Sequence, residues 1–370
     1  MKKIKLLHIQ VLPKLSGVQK VSLEIFKRLP PNFEKYILFS NSSEYGDVSE
    51  CVKAFEETGA KVLFSDNLQR EISGKDIKAY KEIYRLCKKE KFDIVHTNST
   101  KPGIIGRIAA TMARTPLVIH TIHGLSFYKF LSWPKWTFYW GCEMFASLFC
   151  DKITSVNNYY TKYFKWCKRK VHVIHNGLEF SDFPAIDSGL RQQSSKIRVL
   201  FVGRLDTPKN PLFLLQAANR VSKSNPDVEF TLVGDGEFYD DCKKYIDEHN
   251  LNDIVKLAGW QTDVYKYYQK HDILAIPSIY EAFGLIFVEA GYYSLPTVST
   301  DVEGIPEVIS DGETGLLCSP TDLDSFVANL EKLINDRELR LKLGDNAHKR
   351  VTSLFNAENM ADAFINLYGS

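Results

Sequence analysis

The sequence predicts an α/β protein of two doubly wound domains, each a parallel sheet with helices on both faces. Short β-rich runs alternate with amphipathic helical stretches almost throughout the chain, an order typical of parallel sheets connected by helices. The chain has 370 residues, which exceeds one ordinary hydrophobic core and suits two domains. A polar stretch with proline and glycine, at 181–196, lacks any period and is interpreted as the linker.

The first series covers residues 1–180 and contains seven strand-like runs. Between the first two runs, apolar residues recur at helical spacing over 18–29, which predicts an amphipathic helix. The runs are IKLLHIQ (4–10), KYILFS (35–40), KVLFS (61–65), FDIVHTN (92–98), PLVIHTIH (116–123), KITSV (152–156) and VHVIHN (171–176).

The second series covers residues 197–353 and repeats the alternation. Helices are predicted from about Pro211 and from near Gly284, whereas the glycine-studded stretch at 302–317 is expected to be a loop. The strand-like runs are KIRVLFVGR (196–204), VEFTLVGDG (228–236), IVKLAGW (254–260), DILAIPS (272–278) and PTVST (296–300).

Composition excludes several classes of protein. Hydrophobic residues make up 44% and charged residues 25% of the chain, the balance of a soluble globular protein. No segment reaches eighteen apolar residues without a charge, so no membrane-spanning helix is predicted. The apolar run at the N-terminus resembles a signal peptide, but Lys5, His8 and Gln10 interrupt it. Seven scattered cysteines without a C-x-x-C pair favour a reducing cytosol over a disulfide framework or a zinc ribbon.

Charge is distributed unevenly along the chain. The overall net charge is +2, but residues 1–180 carry +13 and residues 181–370 carry −11. Opposite fields of this size predict different partners for the two halves. The alternative is drift of surface composition.

Two carboxylates stand out in the apolar stretch PSIYEAFGLIFVEAGYYSLP. Ligands of open α/β sheets bind beyond the carboxyl ends of strands, and two such domains facing each other are expected to form a cleft. Glu281 follows a predicted strand, and Glu289 lies in the second turn of a helix that begins near Gly284. Free N–H groups at that helix start suit a diphosphate, and the flanking carboxylates suit sugar hydroxyls. Taken singly, either acid could be an ordinary solvated side chain.

Basic and glycine residues follow the neighbouring predicted strands. Arg204 and Lys209, in FVGRLDTPKN, could neutralise a diphosphate in the ground and transition states, or could form an ordinary basic loop. The run VGDGEF lacks the third glycine of a dinucleotide fingerprint and is weak evidence for NAD, and Gly234 within it is predicted to bind the donor. Asp322 and Asp324 precede a helical pattern, so helix capping is favoured over metal binding.

In the first half, polar side chains follow two predicted strands. His123 stands at a strand end before glycine, where a functional role is favoured, whereas His96 and His120 are interpreted as core residues. A loop with Asn98, Ser99 and Lys101 precedes a helix predicted to open near Gly103, a second anion-type helix terminus. No spaced Cys/His cluster suggests a metal, and no cofactor is expected.

Together these motifs resemble a known family. GRLDTPKN, VGDGE, EAFGLIFVEA, EGIPEVISDGETGLL, HNGLE and TIHG occur in the order and spacing of the retaining glycosyltransferases of family 4, which have the GT-B fold. DIVHTNSTKPGIIGRIAA followed by IHTIHG is similar to bacterial members that build surface polysaccharides such as O-antigen and capsule. The resemblance covers nearly the whole chain.

The resemblance implies a role for each donor-side residue. By analogy, Glu289 holds the ribose hydroxyls, Glu281 the hydroxyls of the donor sugar, and Arg204 and Lys209 the diphosphate. His123 matches a histidine near the donor sugar. The backbone at Phe283, Gly284 and Leu285 matches a phosphate-cradling turn. Similar enzymes often carry Gly-Gly after the first strand, where this chain has Ser16-Gly17, so Gly17 is the one glycine expected to approach the phosphates.

The resemblance also implies a reaction and partners. The expected activity is metal-independent transfer, with retention of configuration, from a nucleotide-sugar, expected to be UDP-linked, to a lipid-linked or saccharide acceptor. An undecaprenyl-diphosphate-linked acceptor is expected to meet Asn98, Ser99, Lys101 and Gly103, and the C-terminal helix at about 354–370 is expected to pack on the first domain. The alternatives are a sugar-nucleotide epimerase of the same fold and a non-catalytic sugar-binding protein.

Aromatic and basic residues alternate at 159–170, in YYTKYFKWCKRK. The mixture suits the headgroup region of an anionic membrane, so a peripheral enzyme on the cytoplasmic face of the plasma membrane is predicted. A nucleic-acid partner is not predicted. The aromatic stretch at 125–150 could extend this surface or could fill the core.

Overall fold

The chain divides into two compact units in the computed structural model, which describes residues 3–69, 74–127, 131–187, 189–192 and 196–369. One unit comprises Met1–Leu178 with Ala357–Ser370, and the other comprises Glu179–Asn356. Each unit is an α/β layer structure built on its own parallel sheet, as the sequence predicted.

The first unit is built on seven strands. These are β1 (Ile4–Ile9), β2 (Phe33–Ser40), β3 (Lys61–Ser65), β4 (Ile94–Asn98), β5 (Leu117–Ile122), β6 (Lys152–Ser155) and β7 (Val171–Val173). Its helices are α1 (Gly17–Arg28), α2 (Ser49–Glu57), α3 (Asp76–Glu90), α4 (Thr100–Met112), α5 (Trp133–Ala146) and α14 (Ala357–Gly369), with a 3₁₀ segment at Tyr159–Lys170. All seven predicted strands are present in the order β3-β2-β1-β4-β5-β6-β7.

The second unit is built on six strands. These are β8 (Ile197–Val202), β9 (Val228–Val233), β10 (Val255–Gly259), β11 (Ile273–Ile276), β12 (Thr297–Thr300) and β13 (Gly315–Cys318). Its helices are α6 (Gly189–Gln192), α7 (Pro211–Ser224), α8 (Tyr239–Glu248), α9 (Tyr265–Lys270), α10 (Leu285–Tyr292), α11 (Ile305–Val308), α12 (Leu323–Asn335) and α13 (Arg337–Leu354). The strand order is β10-β9-β8-β11-β12-β13.

The expectation of a loop throughout 302–317 is wrong at two places, because the short helix α11 lies at Ile305–Val308 and a strand begins at Gly315. β13 begins at Gly315 and pairs in parallel with β12, so the sheet gains an edge strand. Four residues opening on glycine give too short an apolar run to be distinguished from a loop by pattern. The capping prediction nearby is confirmed, because Asp322 accepts a hydrogen bond from the Ser325 N–H at 2.9 Å.

Each sheet has a point where the direction of winding reverses. In the first sheet this point lies between β1 and β4, and in the second between β8 and β11. Crevices for ligands form beyond the carboxyl ends of the strands at such points. The predicted site residues after β4, β8 and β11 are therefore placed where this fold binds ligands.

The C-terminal helix α14 is part of the core of the first unit. Met360, Phe364 and Leu367 pack in the same cluster as Phe26 and Ile119. The Tyr368 hydroxyl lies between two buried histidine rings, 3.0 Å from His8 Nε2 and 2.7 Å from His96 Nδ1. The sequence-based interpretation of His96 as a satisfied core residue agrees with this geometry.

The stretch predicted as a linker packs on the second unit in its described part. Phe183 lies 4.7 Å from the Tyr265 ring and stacks on Tyr293 at 6.2 Å, and the Tyr293 hydroxyl donates to the Pro184 carbonyl at 3.0 Å. The described part of the predicted linker is therefore anchored to the second unit by aromatic contacts. The boundary between the two units falls after Leu178. Residues 188 and 193–195 of that stretch lie outside the described residues.

Among the residues described, no helix combines the length and apolar character needed to cross a bilayer. All seven cysteines are free thiols. Their scattered spacing in the sequence argues against a disulfide framework.

We expect the free energy of unfolding to decrease as the pH is lowered, because of the buried histidines. Burial lowers the pKa of His8 from 6.5 to about 3, and lowers the pKa of His96 and His120 well below 6.5. As pH falls below about 6.5, the unfolded chain binds protons that the native protein excludes. Each such histidine should lower the unfolding free energy by up to about 1.4 kcal/mol per pH unit.

Urea unfolding between pH 7 and pH 5 measures this slope. His8→Gln should flatten the slope, whatever it does to stability at pH 7, and His249→Gln at an exposed position is the control. An unchanged slope in His8→Gln would contradict the prediction.

Candidate functional site

The loops after β8 and β9 approach each other closely. Gly234 has a φ of +143°, and a Cβ there would stand 1.8 Å from the Gly203 carbonyl oxygen. Only glycine allows the two strand ends to close to this distance. Gly234, predicted as a donor-binding residue, is therefore required by the backbone at the carboxyl edge of the sheet.

Lys209 reaches from the loop after β8 to the loop after β11. Its Nζ forms an ion pair with the Glu281 carboxylate, and both side chains are largely buried. The backbone supports this pairing, because the Lys209 N–H donates to the Asp206 carbonyl at 3.1 Å and the Ile279 N–H donates to the Pro208 carbonyl at 2.8 Å. The structure thus brings Lys209 and Glu281 together at the switch point of the second sheet.

Arg204 has a different partner. Its guanidinium lies 2.8 Å from the Asp206 carboxylate, and 69% of its side chain is exposed. Sequence reasoning paired Arg204 with Lys209 as two cations. It missed Asp206, and it named Glu281 without predicting the ion pair with Lys209. Each of the two cations, Arg204 and Lys209, is therefore paired with a carboxylate.

The helix predicted near Gly284 begins at Leu285, with Gly284 preceding it. Gly284 has a φ of +82°, and a Cβ there would lie 2.4 Å from the Phe287 ring. Phe283 is buried, with its ring 5.4 Å from that of Phe355. Phe283, Gly284 and Leu285 therefore stand at the start of the helix, where the resemblance implies a phosphate-cradling turn, and the Phe283 side chain belongs to the core. Their contact with phosphates stays a prediction.

Glu289 is held by a tyrosine that sequence reasoning missed. The buried Tyr268 hydroxyl donates to Glu289 Oε2 at 2.9 Å. Burial, together with the Glu289 charge, raises the pKa of Tyr268 well above 10, so this hydroxyl remains a donor at neutral pH. The aromatic run YKYY at 265–268 was the available signal, but its pairing with Glu289 depends on the packing of α9 against the sheet.

In the first unit, the structure brings together His123 and Asn98. The His123 Nε2–H donates to Asn98 Oδ1 at 2.9 Å, which leaves Nδ1 as the nitrogen with a lone pair. Burial lowers the pKa of His123 from 6.5 to about 4, so the ring is neutral at pH 7. Asn98 Nδ2 is buried and has no hydrogen-bond partner among the described residues.

The predicted helix opening at Gly103 is wrong. α4 begins at Thr100, three residues earlier, with Ser99 before it at a φ of +67°. Pro102 fits the first turn of a helix, where no N–H is required, and its pairing with glycine misplaced the predicted start. Gly103 lies inside the helix beside the His120 ring, so it cannot present a free helix terminus.

Lys101 is neutralised by a neighbouring acid. Its Nζ lies 2.8 Å from Asp76 on α3, and its side chain is largely buried. Of the four residues predicted to meet the acceptor, Asn98 and Ser99 therefore keep the expected position at the strand end, while Lys101 and Gly103 are engaged within the unit.

Gly17 is the first residue of α1 and is exposed, so its contact with phosphates stays a prediction. Within the described ranges, no three His, Cys, Asp or Glu side chains are grouped as a metal site.

Comparison with known proteins gives matches over nearly the whole chain. The family model described as glycosyl transferases group 1 matches residues 182–350, and the one described as Glycosyltransferase Family 4 matches residues 16–182. The UDP-Gal:alpha-D-GlcNAc-diphosphoundecaprenol alpha-1,3-galactosyltransferase of Escherichia coli is 34% identical over 99% of this chain and 97% of its own. The capsular polysaccharide biosynthesis glycosyltransferase CapM of Staphylococcus aureus is 24% identical over 100% of this chain and 98% of its own.

A solved structure, the Anabaena protein HepE in complex with UDP and glucose, matches with a TM-score of 0.82. The match has 19% identity and covers 99% of both chains. At this identity the likeness shows a shared fold.

Proposed function

Because the chain belongs to the family 4 glycosyltransferases, we propose that it transfers a sugar from a UDP-sugar to a lipid-diphosphate-linked saccharide in bacterial surface polysaccharide synthesis. The membership confirms the predicted transferase class and GT-B fold over the sugar-binding and epimerase alternatives. The observation that carries the donor assignment is the Lys209–Glu281 ion pair beside the Gly284 helix start. UDP-galactose is the first donor to test, because the similar Escherichia coli enzyme is named for it.

The leaving diphosphate is proposed to bind Arg204 and Lys209 in place of their carboxylate partners. As the bond between the anomeric carbon and the phosphate oxygen breaks, negative charge grows on that oxygen. Lys209, Arg204 and the N–H groups at the start of α10 stabilise this charge. Because these groups supply positive charge, we propose that turnover needs no divalent metal and persists in EDTA.

Glu281 has two functions in this scheme. It holds Lys209 in place, and it accepts hydrogen bonds from hydroxyls of the donor sugar once the diphosphate draws Lys209 away. Glu289, oriented by Tyr268, accepts from the ribose hydroxyls. The Nδ1 of His123 keeps its lone pair, and the role near the donor sugar that the resemblance implies for this residue stays a prediction.

Transfer is proposed to retain the anomeric configuration. The acceptor oxygen bonds to the anomeric carbon on the face that the phosphate leaves, and the acceptor proton passes to the departing phosphate oxygen. Charge and atoms balance without a covalent enzyme intermediate. The absence of an evident nucleophile among the predicted site residues motivates this route.

The enzyme is proposed to dock on the cytoplasmic face of the membrane. In the segment 159–170, Lys162, Lys165, Lys168 and Arg169 are exposed together with Trp166. Tyr160 and Phe164 are core residues, and the Lys170 ammonium donates to the Cys150 carbonyl at 2.8 Å. The predicted patch is thus smaller than the sequence suggested but keeps four exposed cations.

The upstream aromatic stretch extends this patch. Trp133 is 78% exposed, and Phe138, Phe145 and Leu148 are also exposed, so these side chains do not fill the core. Phe127 of the same stretch is buried, as the core-filling alternative required. Residues 128–130 lie outside the described part of the chain. Exposed aromatic rings beside lysines suit a headgroup region.

Removing either cation should slow transfer. We expect Arg204→Ala and Lys209→Ala each to lower the turnover of UDP-sugar by about a hundredfold or more, the loss typical of one charge-stabilising group. Arg220→Ala, at another exposed, ion-paired arginine of the same unit, is the matched control. Rates near wild type in both site variants would exclude the assignment.

The two glutamates should separate nucleotide binding from sugar binding. Glu289→Gln should weaken UDP and UDP-sugar about equally, because both carry the ribose. Glu281→Gln should weaken UDP-sugar selectively, and UDP binding should hold or tighten, since Lys209 loses its carboxylate partner. Calorimetric titration with each ligand measures the split. Equal losses for both ligands in Glu281→Gln would refute the role of Glu281.

Vesicle co-sedimentation tests the docking surface. Binding should require anionic lipid, fall with salt, and drop when Lys165, Lys168 and Arg169 become Gln, since each basic residue near such a surface contributes about 1 kcal/mol. The triple change of Lys342, Lys349 and Arg337 to Gln on α13 alters charge equally elsewhere. Equal loss in both triple variants would sink the assignment of this surface.

A further inference from the structure

A cavity of about 1090 Å³ opens in the first unit between α4 and α5. Its inner end is formed by loops after β1 and β4, where Ser16 and Ser99 line it. The cavity therefore begins at the carboxyl edge of the sheet, where Asn98 and His123 follow their strands, and extends outward along the two helices.

The walls are two apolar stripes at helical spacing. α4 contributes Ile104, Ile105 and Ile108, all half-buried, and α5 contributes Phe138 and Phe145. Ile104 and Ile105 stand four and three residues before Ile108, and Cys142, which also lines the cavity, stands four residues after Phe138 and three before Phe145. Each helix therefore turns one continuous face to the cavity. The result is an apolar groove with the two helices as its sides.

The spacing of the two helices is fixed by a buried ion pair. Arg107 on α4 and Glu143 on α5 are both buried, and their charged groups lie 2.9 Å apart. The Thr111 hydroxyl donates to the Phe149 carbonyl at 2.8 Å near the far end of α4. The first contact joins α4 to α5 and the second joins α4 to the turn that follows α5, so the two sides of the groove are held together at two levels.

One end of the groove is polar and cationic. Thr100, Ser126, Lys101 and Lys135 line it, and the Ser126 hydroxyl donates to Thr100 Oγ1 at 2.9 Å. The Asp76 carboxylate, which also lines the cavity, offsets Lys101. Among the described lining residues, the positive charge of this end therefore comes from the exposed Lys135. The groove thus changes from positive and hydroxyl-lined to apolar along its length.

We propose that this groove holds the first part of the hydrocarbon chain of the lipid-diphosphate acceptor, with the diphosphate at the Lys135 end. This assignment rests on the proposed function for the identity of the acceptor. An anionic head on a single long apolar chain matches the gradient from Lys135 to Phe145. A saccharide would leave its hydroxyls against isoleucine and phenylalanine, where they have no partners.

The groove also accounts for the exposure of Phe138 on α5. Phe138 is 57% exposed although it lines the cavity, and a bound hydrocarbon chain would remove that area from water. The chain would leave the groove beside Phe145, close to the surface proposed to meet the membrane.

Binding of farnesyl diphosphate, compared with inorganic diphosphate, tests the groove without any turnover. We expect farnesyl diphosphate to bind more tightly, and the double variant Ile105→Gln with Phe138→Gln to lose about tenfold or more of that affinity while its weak affinity for inorganic diphosphate is kept. Met112→Gln is the matched control, because Met112 ends α4 and is 47% exposed but does not line the cavity. Equal affinity for the two probes, or an equal loss in Met112→Gln, would overturn the proposal.

Glycosyl transfer to acceptors with the same sugar diphosphate on a long or a short chain separates this inference from the proposed function. A lower KM for the long-chain acceptor, lost in the double variant, supports both. Equal KM values for the two acceptors overturn the groove and leave the transferase function intact. Failure to glycosylate either acceptor, with farnesyl diphosphate binding as expected, supports the groove and removes the acceptor class.

Discussion

The ion pair between Lys209 and Glu281 is the contact on which the candidate donor site depends. It joins the loops on both sides of the point where the second sheet reverses its winding. Its partners are mostly shielded from solvent, so removing one would leave the other charged and poorly solvated. The Glu281 carbonyl also accepts the Gly304 N–H at 3.1 Å, which ties a third loop to the same place. A diphosphate that attracts Lys209 would free a carboxylate already positioned for sugar hydroxyls, so nucleotide and sugar recognition would be linked through one side chain.

Much of the fold follows from local pattern, and much of the site does not. Strand runs such as IKLLHIQ and DILAIPS are long and apolar enough to be recognised alone, and their alternation with helices implies parallel sheets. β13 was missed because GLLC is short and follows glycine, and the start of α4 was misplaced because Pro102 and Gly103 resemble a boundary. Motif position located Arg204, Lys209, Glu281 and Glu289. Their partners Asp206 and Tyr268 could not be predicted, because ion pairs and hydrogen bonds between distant segments depend on tertiary packing.

The cations of the basic first half fall into two groups, those buried in ion pairs and those exposed to solvent. Arg107 is buried against Glu143 and Lys101 is neutralised by Asp76, so these cations contribute to packing rather than to the field outside. The cations at Lys135, Lys165 and Arg169 are exposed. Net charge alone cannot distinguish the two uses, since burial and pairing decide which charges reach a partner.

The position of α14 has a consequence for synthesis. The first unit is interrupted in sequence by the whole of the second, and its core includes Phe364 and Tyr368. While the chain emerges from a ribosome, residues 1–178 would therefore expose the face that α14 later covers, until about residue 369 has been made. The second unit is continuous from Glu179 to Asn356 and can close first. Folding order would then run opposite to chain order, and a fragment ending at residue 178 would be an aggregation hazard rather than an isolated domain.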